Sequence, residues 1–129
     1  AIGKPELSTM EFNENTFILQ VGVTGVLKGQ VLLCMGEANA KDMASRMMMG
    51  APVNDLDEMA SSALCELSNM IMGNTATLFA SQGIAMDITP PISLFGMNLK
   101  LHVDIPALKI PLIEDGSEKI GIYLCVTQD

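Results

Sequence analysis

The sequence predicts an α+β domain of two layers, in which a mostly antiparallel sheet carries two helices, one of them long, on one face. Runs of strand length, rich in β-branched and apolar residues, occupy both ends of the chain, and one uninterrupted helical stretch lies between them. Hydrophobic residues make up 49% of the 129 residues and charged residues 17%, which is typical of a folded globular chain. A chain of this length can form one domain with its own core.

The first third of the chain is predicted to form strands and then a short helix. The strands are expected at residues 6–12, 16–23 and 29–35. Gly36 breaks the strand pattern. Residues 38–49 then predict a helix with alanine and methionine on its inner side, ended by Gly50.

The longest predicted element is a helix from Asp55 to about Gln82. Asp55 can cap its first turn, and Glu58 can complete a capping box. Gly83 offers a C-terminal stop. A wide apolar face is predicted to consist of Leu64, Leu67, Ile71, Leu78 and Phe79.

Shorter extended segments are predicted after the long helix. A brief strand at residues 85–88 ends at Pro90 and Pro91, and residues 100–105 alternate between apolar and polar side chains. Prolines at both ends of 106–111 predict an edge-like or looped stretch, because proline cannot donate to a central ladder. A turn at 114–117 and a last strand at 119–127 complete the chain.

The charge and cysteine content exclude several classes of function. A net charge of −8 with only seven Lys and Arg argues against nucleic acid and anionic membranes as partners. No apolar run approaches the roughly 20 residues that a membrane-spanning helix needs. Three widely separated cysteines in apolar runs predict reduced core residues of a cytoplasmic protein. The single histidine, His102, and nearby Asp104 fall short of the three or four ligands of a zinc site, so no metal is expected.

One polar stripe on the long helix is the main candidate site. Ser62, Glu66, Asn69 and Gly73 follow one another at spacings of four, three and four, so Glu66 and Asn69 project side by side. A solvated helix face is one interpretation. Such a face usually carries several charges, however, whereas Glu66 is the only charged residue from 60 to 81. Gly73 costs about 1 kcal/mol relative to alanine, which calls for a packing or functional reason.

The pattern Ser62-x-x-x-Glu66-x-x-Asn69, followed by Pro90 and Pro91, resembles the signature of the CheC/CheX/FliY chemotaxis phosphatases. The likeness extends from about residue 22 to 126. It implies a CheC-like fold and a single CheX-like domain over residues 1–129. Family members usually place a helix before the first strand, whereas this chain begins almost at the strand. The chain departs from the family here, and it is expected to be either a trimmed form or a variant without the N-terminal helix.

The resemblance also implies a function. The expected activity is removal of the aspartyl phosphate of a phosphorylated CheY-type response regulator, with Asn69 orienting the attacking water and Glu66 docking on a regulator lysine. Ser62 and Gly73 would contact the partner. The protein would need no cofactor of its own, Mg²⁺ being held by the regulator, and it would act as a homodimer. The alternative is a non-catalytic module of the same fold that binds a response regulator or belongs to a flagellar switch. A third interpretation is a plain dimerisation domain.

Overall fold

The computed structural model of the chain describes residues 3, 6–8, 10–101 and 107–128. Two helices and nine strands occur in these residues. In chain order they are β1 (Glu6–Ser8), β2 (Met10–Phe12), β3 (Thr16–Gly25), β4 (Leu27–Gly36), α1 (Glu37–Met47), α2 (Glu58–Ser81), β5 (Met86–Ile88), β6 (Ile92–Gly96), β7 (Leu99–Leu101), β8 (Ala107–Glu114) and β9 (Ser117–Gln128).

The strands form one large antiparallel sheet and one small one. The seven-stranded sheet has the order β1-β8-β9-β4-β3-β5, and β6 pairs with the other part of β3. The two-stranded sheet joins β2 to β7. The predicted first strand at 6–12 is therefore wrong in one respect, since its two ends belong to different sheets. The α+β class with two helices and a mostly antiparallel sheet is confirmed.

The core lies between the helices and one face of the large sheet. Successive side chains of a strand point to opposite faces, and β3 follows this rule. Phe17 and Leu19 pack with Ala40, Ala44 and other small or apolar residues of the helices. Ile18 lies on the opposite face, in a second cluster against which Phe12 and Leu99 of the small sheet pack. The alanines allow the helices to approach the sheet closely.

The ends of α2 are fixed by local hydrogen bonds. The N-cap is Asp57, whose side chain accepts a hydrogen bond from the backbone N–H of Ala60 at 2.9 Å. The prediction of Asp55 as the cap was therefore wrong by two residues. At the other end Ile84 N–H donates to Phe79 O at 2.9 Å and Gly83, at φ 82°, has the left-handed conformation of a Schellman stop, as predicted.

The apolar face of α2 is shorter than predicted. Its buried residues are Ala60, Leu64, Ser68 and Met72, so burial stops about two turns before the helix ends. Leu78 is 65% exposed, and its predicted place on the inner face was wrong. An apolar cavity of about 290 Å³ lies beneath the C-terminal half of α2, lined on the helix side by Ile71, Met72, Thr75 and Phe79. Leu78 does not line this cavity, and its side chain faces solvent.

The region after α2 follows the predictions in part. The stretch between the two prolines is wrong as a loop, because Ala107–Glu114 forms the strand β8. Pro111 O accepts a hydrogen bond from Gly3 N–H at 2.7 Å. Because the nitrogen and the carbonyl oxygen of one strand residue lie on the same side, the nitrogen of Pro111, which has no hydrogen to donate, also faces Gly3 and not β9. Asp115 and Gly116 both have positive φ in the β8–β9 turn, as a two-residue Asp-Gly hairpin requires. The predicted strand 100–105 overlaps β7, but residues 102–106, His102 among them, lie outside the described residues.

Candidate functional site

The candidate site is the solvent face of α2. Ser62, Glu66 and Asn69 are all exposed. The buried residues of the helix recur every four positions, from Ala60 to Met72, and anchor the opposite face to the core. With 3.6 residues per turn, Glu66 lies roughly 180° from the middle of this buried row. The packing of the helix therefore presents Glu66 to solvent, and Asn69 projects beside it, about 5–6 Å away between Cβ atoms.

The polar groups of this face have no partner within the described part of the chain. The ion pairs found there do not involve Glu66. The side-chain hydrogen bonds found there do not involve Ser62, Glu66 or Asn69. The sequence contains no cation between residues 55 and 82. A carboxylate and a carboxamide are thus held side by side and are available to a partner.

Other carboxylates are engaged elsewhere. Hydrogen bonds from Lys41 and Asn15 lower the pKa of Glu37 at the start of α1. Arg46 donates two hydrogen bonds to Glu114, at 2.7 and 3.0 Å, and lowers the pKa of that carboxyl. These contacts tie α1 to the sheet. They differ from the arrangement at Glu66, which has no cation beside it among the described residues.

Gly73 lies near the middle of α2 at partial exposure. A Cβ atom at this position would meet no side chain or other part of the fold within 4 Å. The described fold therefore gives no packing reason for a glycine here, and the predicted contact with a partner stays a prediction. The carbonyl of Gly73 accepts a hydrogen bond from Thr77 Oγ1 at 3.0 Å.

The cysteines do not form a second site. All three are free, and Cys34 and Cys125 are buried. Burial raises the pKa of Cys34 to about 12 and also raises the pKa values of Cys65 and Cys125. Thiols of this kind are poor nucleophiles at neutral pH. Within the described residues no three His, Cys, Asp or Glu side chains are grouped to hold a metal ion.

Sequence reasoning missed two residues on the same face. Met59 is 69% exposed and Met70 is 52% exposed, although both side chains are large and apolar. Met59 precedes Glu66 by seven positions and Met70 follows it by four, so helical spacing alone places both on the line of Glu66. The signal was therefore present in the spacing. It was obscured because methionine is ordinarily among the buried residue types, and the chain contains eleven methionines.

Comparison with known proteins assigns the family. The model of the chemotaxis phosphatase CheX family matches residues 17–113. The chain is 32% identical over 124 residues to the CheY-P phosphatase CheX of Thermotoga maritima, and the match covers 96% of this chain and 80% of that protein. The chain therefore belongs to the CheX family of chemotaxis phosphatases.

Solved structures agree with this assignment. The CheX–CheY complex of Borrelia burgdorferi with BeF3 and magnesium matches with a TM-score of 0.79 and 28% identity, covering 98% of this chain and 83% of that one. The CheX protein of Desulfovibrio desulfuricans matches with a TM-score of 0.80 and 19% identity, covering 98% of this chain and 85% of that one, which shows a shared fold.

None of the helices in the described residues is both long and apolar enough to cross a membrane.

Proposed function

We propose that this protein hydrolyses the aspartyl phosphate of a CheY-type response regulator, with α2 docking over the phosphorylated site. The observation that carries the proposal is the exposed pair Glu66 and Asn69, held side by side on a helix whose opposite face is anchored in the core. The relative from Thermotoga maritima is a CheY-P phosphatase, and the complex from Borrelia burgdorferi joins a CheX to a CheY, which supports this choice of substrate.

Asn69 positions the water that attacks phosphorus. Its carboxamide has a carbonyl oxygen that accepts a hydrogen bond from the water and an NH₂ group that donates one. Attack of the water on phosphorus breaks the bond to the aspartate oxygen and releases inorganic phosphate and the free carboxylate. Phosphoryl transfer gains most from positioning and charge compensation, and a side-chain amide orients the attacking water in some GTPases in the same way.

Glu66 docks the helix. A carboxylate cannot directly stabilise a phosphoryl group of the same sign, and therefore it meets a cation of the regulator, which we assign to a lysine. No cation lies between residues 55 and 82 to compete for this carboxylate. The ion pair fixes the axial position of α2 and so sets where Asn69 places the water. Ser62 and Gly73, one turn before Glu66 and two turns after it, allow the surface of the regulator to approach closely.

The metal ion of the reaction belongs to the regulator. Magnesium is present in the CheX–CheY complex from Borrelia burgdorferi, together with BeF3. This chain contributes its own carboxylate and amide to the joint site. We propose that it requires no metal of its own.

We further propose that the protein is a homodimer formed by pairing of sheet edges. Within the described residues, β6 pairs only with β3, which leaves its outer edge without a neighbouring strand. Four large apolar side chains in and next to this strand are 44–67% exposed: Ile92, Leu94, Phe95 and Met97.

The three free cysteines fit a reducing compartment, and we assign the protein to the cytoplasm.

Light scattering tests the dimer. A species of about twice 13.8 kDa is expected for the wild type, and Leu94→Lys should lower that mass because it places a charge at the proposed interface. A wild-type monomer at micromolar concentration would contradict the proposal.

Steady-state dephosphorylation of a phosphorylated regulator tests the division of roles between the two site residues. Asn69→Ala should lower kcat by about 10²–10³, the loss seen when one preorganised polar group is removed, and leave KM nearly unchanged. Glu66→Ala should mainly raise KM, since loss of one member of a desolvated charge pair costs roughly 2–5 kcal/mol. Both variants should remain folded, because neither side chain is in the core.

The non-catalytic alternative predicts a different result. The wild-type protein would bind the regulator without accelerating phosphate loss, and Asn69→Ala would have no kinetic effect. That result would assign the protein to the regulator-binding or flagellar-switch modules of this fold.

A further inference from the structure

We propose that Met59 and Met70 form, on either side of Glu66, an apolar contact strip that determines how tightly the phosphorylated regulator binds. The proposal rests on the proposed function and adds two residues that act in affinity and not in the chemistry. We call these two residues the methionine strip.

The geometry of α2 aligns the strip with the docking carboxylate. At 1.5 Å per residue Met59 lies roughly 10 Å before Glu66 along the helix axis, and Met70 lies roughly 6 Å after it. With 3.6 residues per turn, all three side chains fall within about 40° of one line along the helix, and Asn69 lies to one side of it. A partner surface that meets Glu66 is therefore close to both methionines.

Neither methionine has a structural role in the described fold. Met59 and Met70 are 69% and 52% exposed. Neither belongs to the three hydrophobic clusters or to the residues packed against them. Methionine is enriched in protein–protein interfaces relative to the rest of the surface, and exposed apolar side chains beside polar groups occur there. Methionine suits such a surface, because its flexible thioether adapts to the shape of a partner.

The charge of the face selects the regulator over a second copy of this chain. A two-fold contact through the methionine strip would bring the Glu66 carboxylates of both copies to the same interface. Neither copy carries a cation between residues 55 and 82 that could neutralise the two carboxylates, and the chain has a net charge of −8. The contact between two copies would therefore be repulsive. The surface that complements this face has one cation surrounded by apolar groups. That is the chemistry expected of the regulator when its lysine meets Glu66.

Direct binding tests the proposal without relying on catalysis. The probe is a CheY-type regulator from the same organism, loaded with Mg²⁺ and activated with beryllofluoride, and its Kd is measured by calorimetry against the full chain. The variants are Met59→Gln and Met70→Gln, since glutamine matches methionine in length and in helix propensity. The matched control is Met49→Gln, at a methionine that lies after α1 and is 98% exposed.

The two variants should bind less tightly than the wild type. Complete burial of a methionine side chain is worth roughly ten- to a hundred-fold in affinity, and these side chains are already partly covered. Met59→Gln, at the more exposed side chain, should therefore raise Kd by about five- to thirty-fold, and Met70→Gln by about four- to fifteen-fold. Met70→Leu should retain most of the affinity, because leucine is also a large apolar residue. The Kd of the control Met49→Gln should match that of the wild type, and kcat at saturating regulator should not change in any of these variants.

The outcomes separate this inference from the proposed function. If the wild type binds and hydrolyses, and both glutamine variants bind within two-fold of it, the inference is wrong and the proposed function stands. If the wild type binds without hydrolysis and the variants bind weakly, the inference stands and the catalytic proposal is wrong. A wild-type chain that does not bind the activated regulator overturns both.

Discussion

Replacing Ser68 by alanine should stabilise the protein, because the hydroxyl of Ser68 is fully buried in the described structure and has no hydrogen-bond partner there. A buried polar group without a partner costs about 1–3 kcal/mol. Alanine also has a better helix propensity than serine, by up to about 0.5 kcal/mol. Loss of the oxygen removes some packing contacts, so we expect a net gain of about 1–2 kcal/mol in the free energy of unfolding.

Urea unfolding followed by circular dichroism measures this gain, at one protein concentration because the stability of the proposed dimer depends on that concentration. With a slope of roughly 2 kcal/mol/M, the midpoint should rise by about 0.5–1 M. Ser62→Ala is the matched control, since it makes the same change on the exposed face of the same helix. It should gain only the difference in helix propensity between alanine and serine. A midpoint that falls for Ser68→Ala would refute the reasoning. It would mean that the hydroxyl is hydrogen-bonded in solution, for which helix geometry offers the carbonyls three and four residues earlier, those of Cys65 and Leu64.

Three further predictions concern the residues that hold the helices and the core. Asp57→Ala removes the side chain that caps α2 at Ala60 and should lower stability by about 1 kcal/mol in the same unfolding assay, whereas Asp57→Asn should retain most of it. The pKa of Glu114 is lowered by Arg46, so this pair stabilises the fold above the usual glutamate pKa and loses its contribution as the pH falls through the lowered pKa. Arg46→Met should return the pKa of Glu114 to its usual range in an NMR titration. Cys34, whose pKa burial raises to about 12, should not react with a thiol reagent at pH 8 until the protein is unfolded, and rapid reaction in the native state would contradict its burial.

The main elements of the fold could be predicted because their signals are local. Periodicity of two in the strands and of 3.6 in the helices indicates which face of each element is buried. The same periodicity predicted that Glu66 and Asn69 lie side by side, and the structure places both on the exposed face of α2.

The features that sequence reasoning missed depend on nonlocal packing. Periodicity gives the direction of Leu78 around the helix, but it does not show whether another element covers that direction, and Leu78 is left exposed. Residues 6–12 were predicted as one strand because their pairing partners, β8 and β7, are far away in the sequence. The side on which Pro111 lacks a donor is likewise set by a contact with Gly3 at the sheet edge.

The choice of helix cap was missed for a different reason. Asp55 and Asp57 are both good N-cap residues, and sequence preference does not separate them. The decision depends on which carboxylate reaches a free amide of the first turn. In the structure that is Asp57, which accepts from Ala60 N–H.

Single-turnover loss of phosphate from a phosphorylated CheY-type regulator tests whether Asn69 acts in the hydrolysis of an aspartyl phosphate. Asn74 supplies the matched control, because it is an exposed asparagine on α2 that points about 140° away from Asn69. The wild type and Asn74→Ala should accelerate phosphate loss equally at saturating protein, and Asn69→Ala should be slower by about 10²–10³-fold. Equal rates for Asn69→Ala and the wild type would show that Asn69 has no role in the hydrolysis.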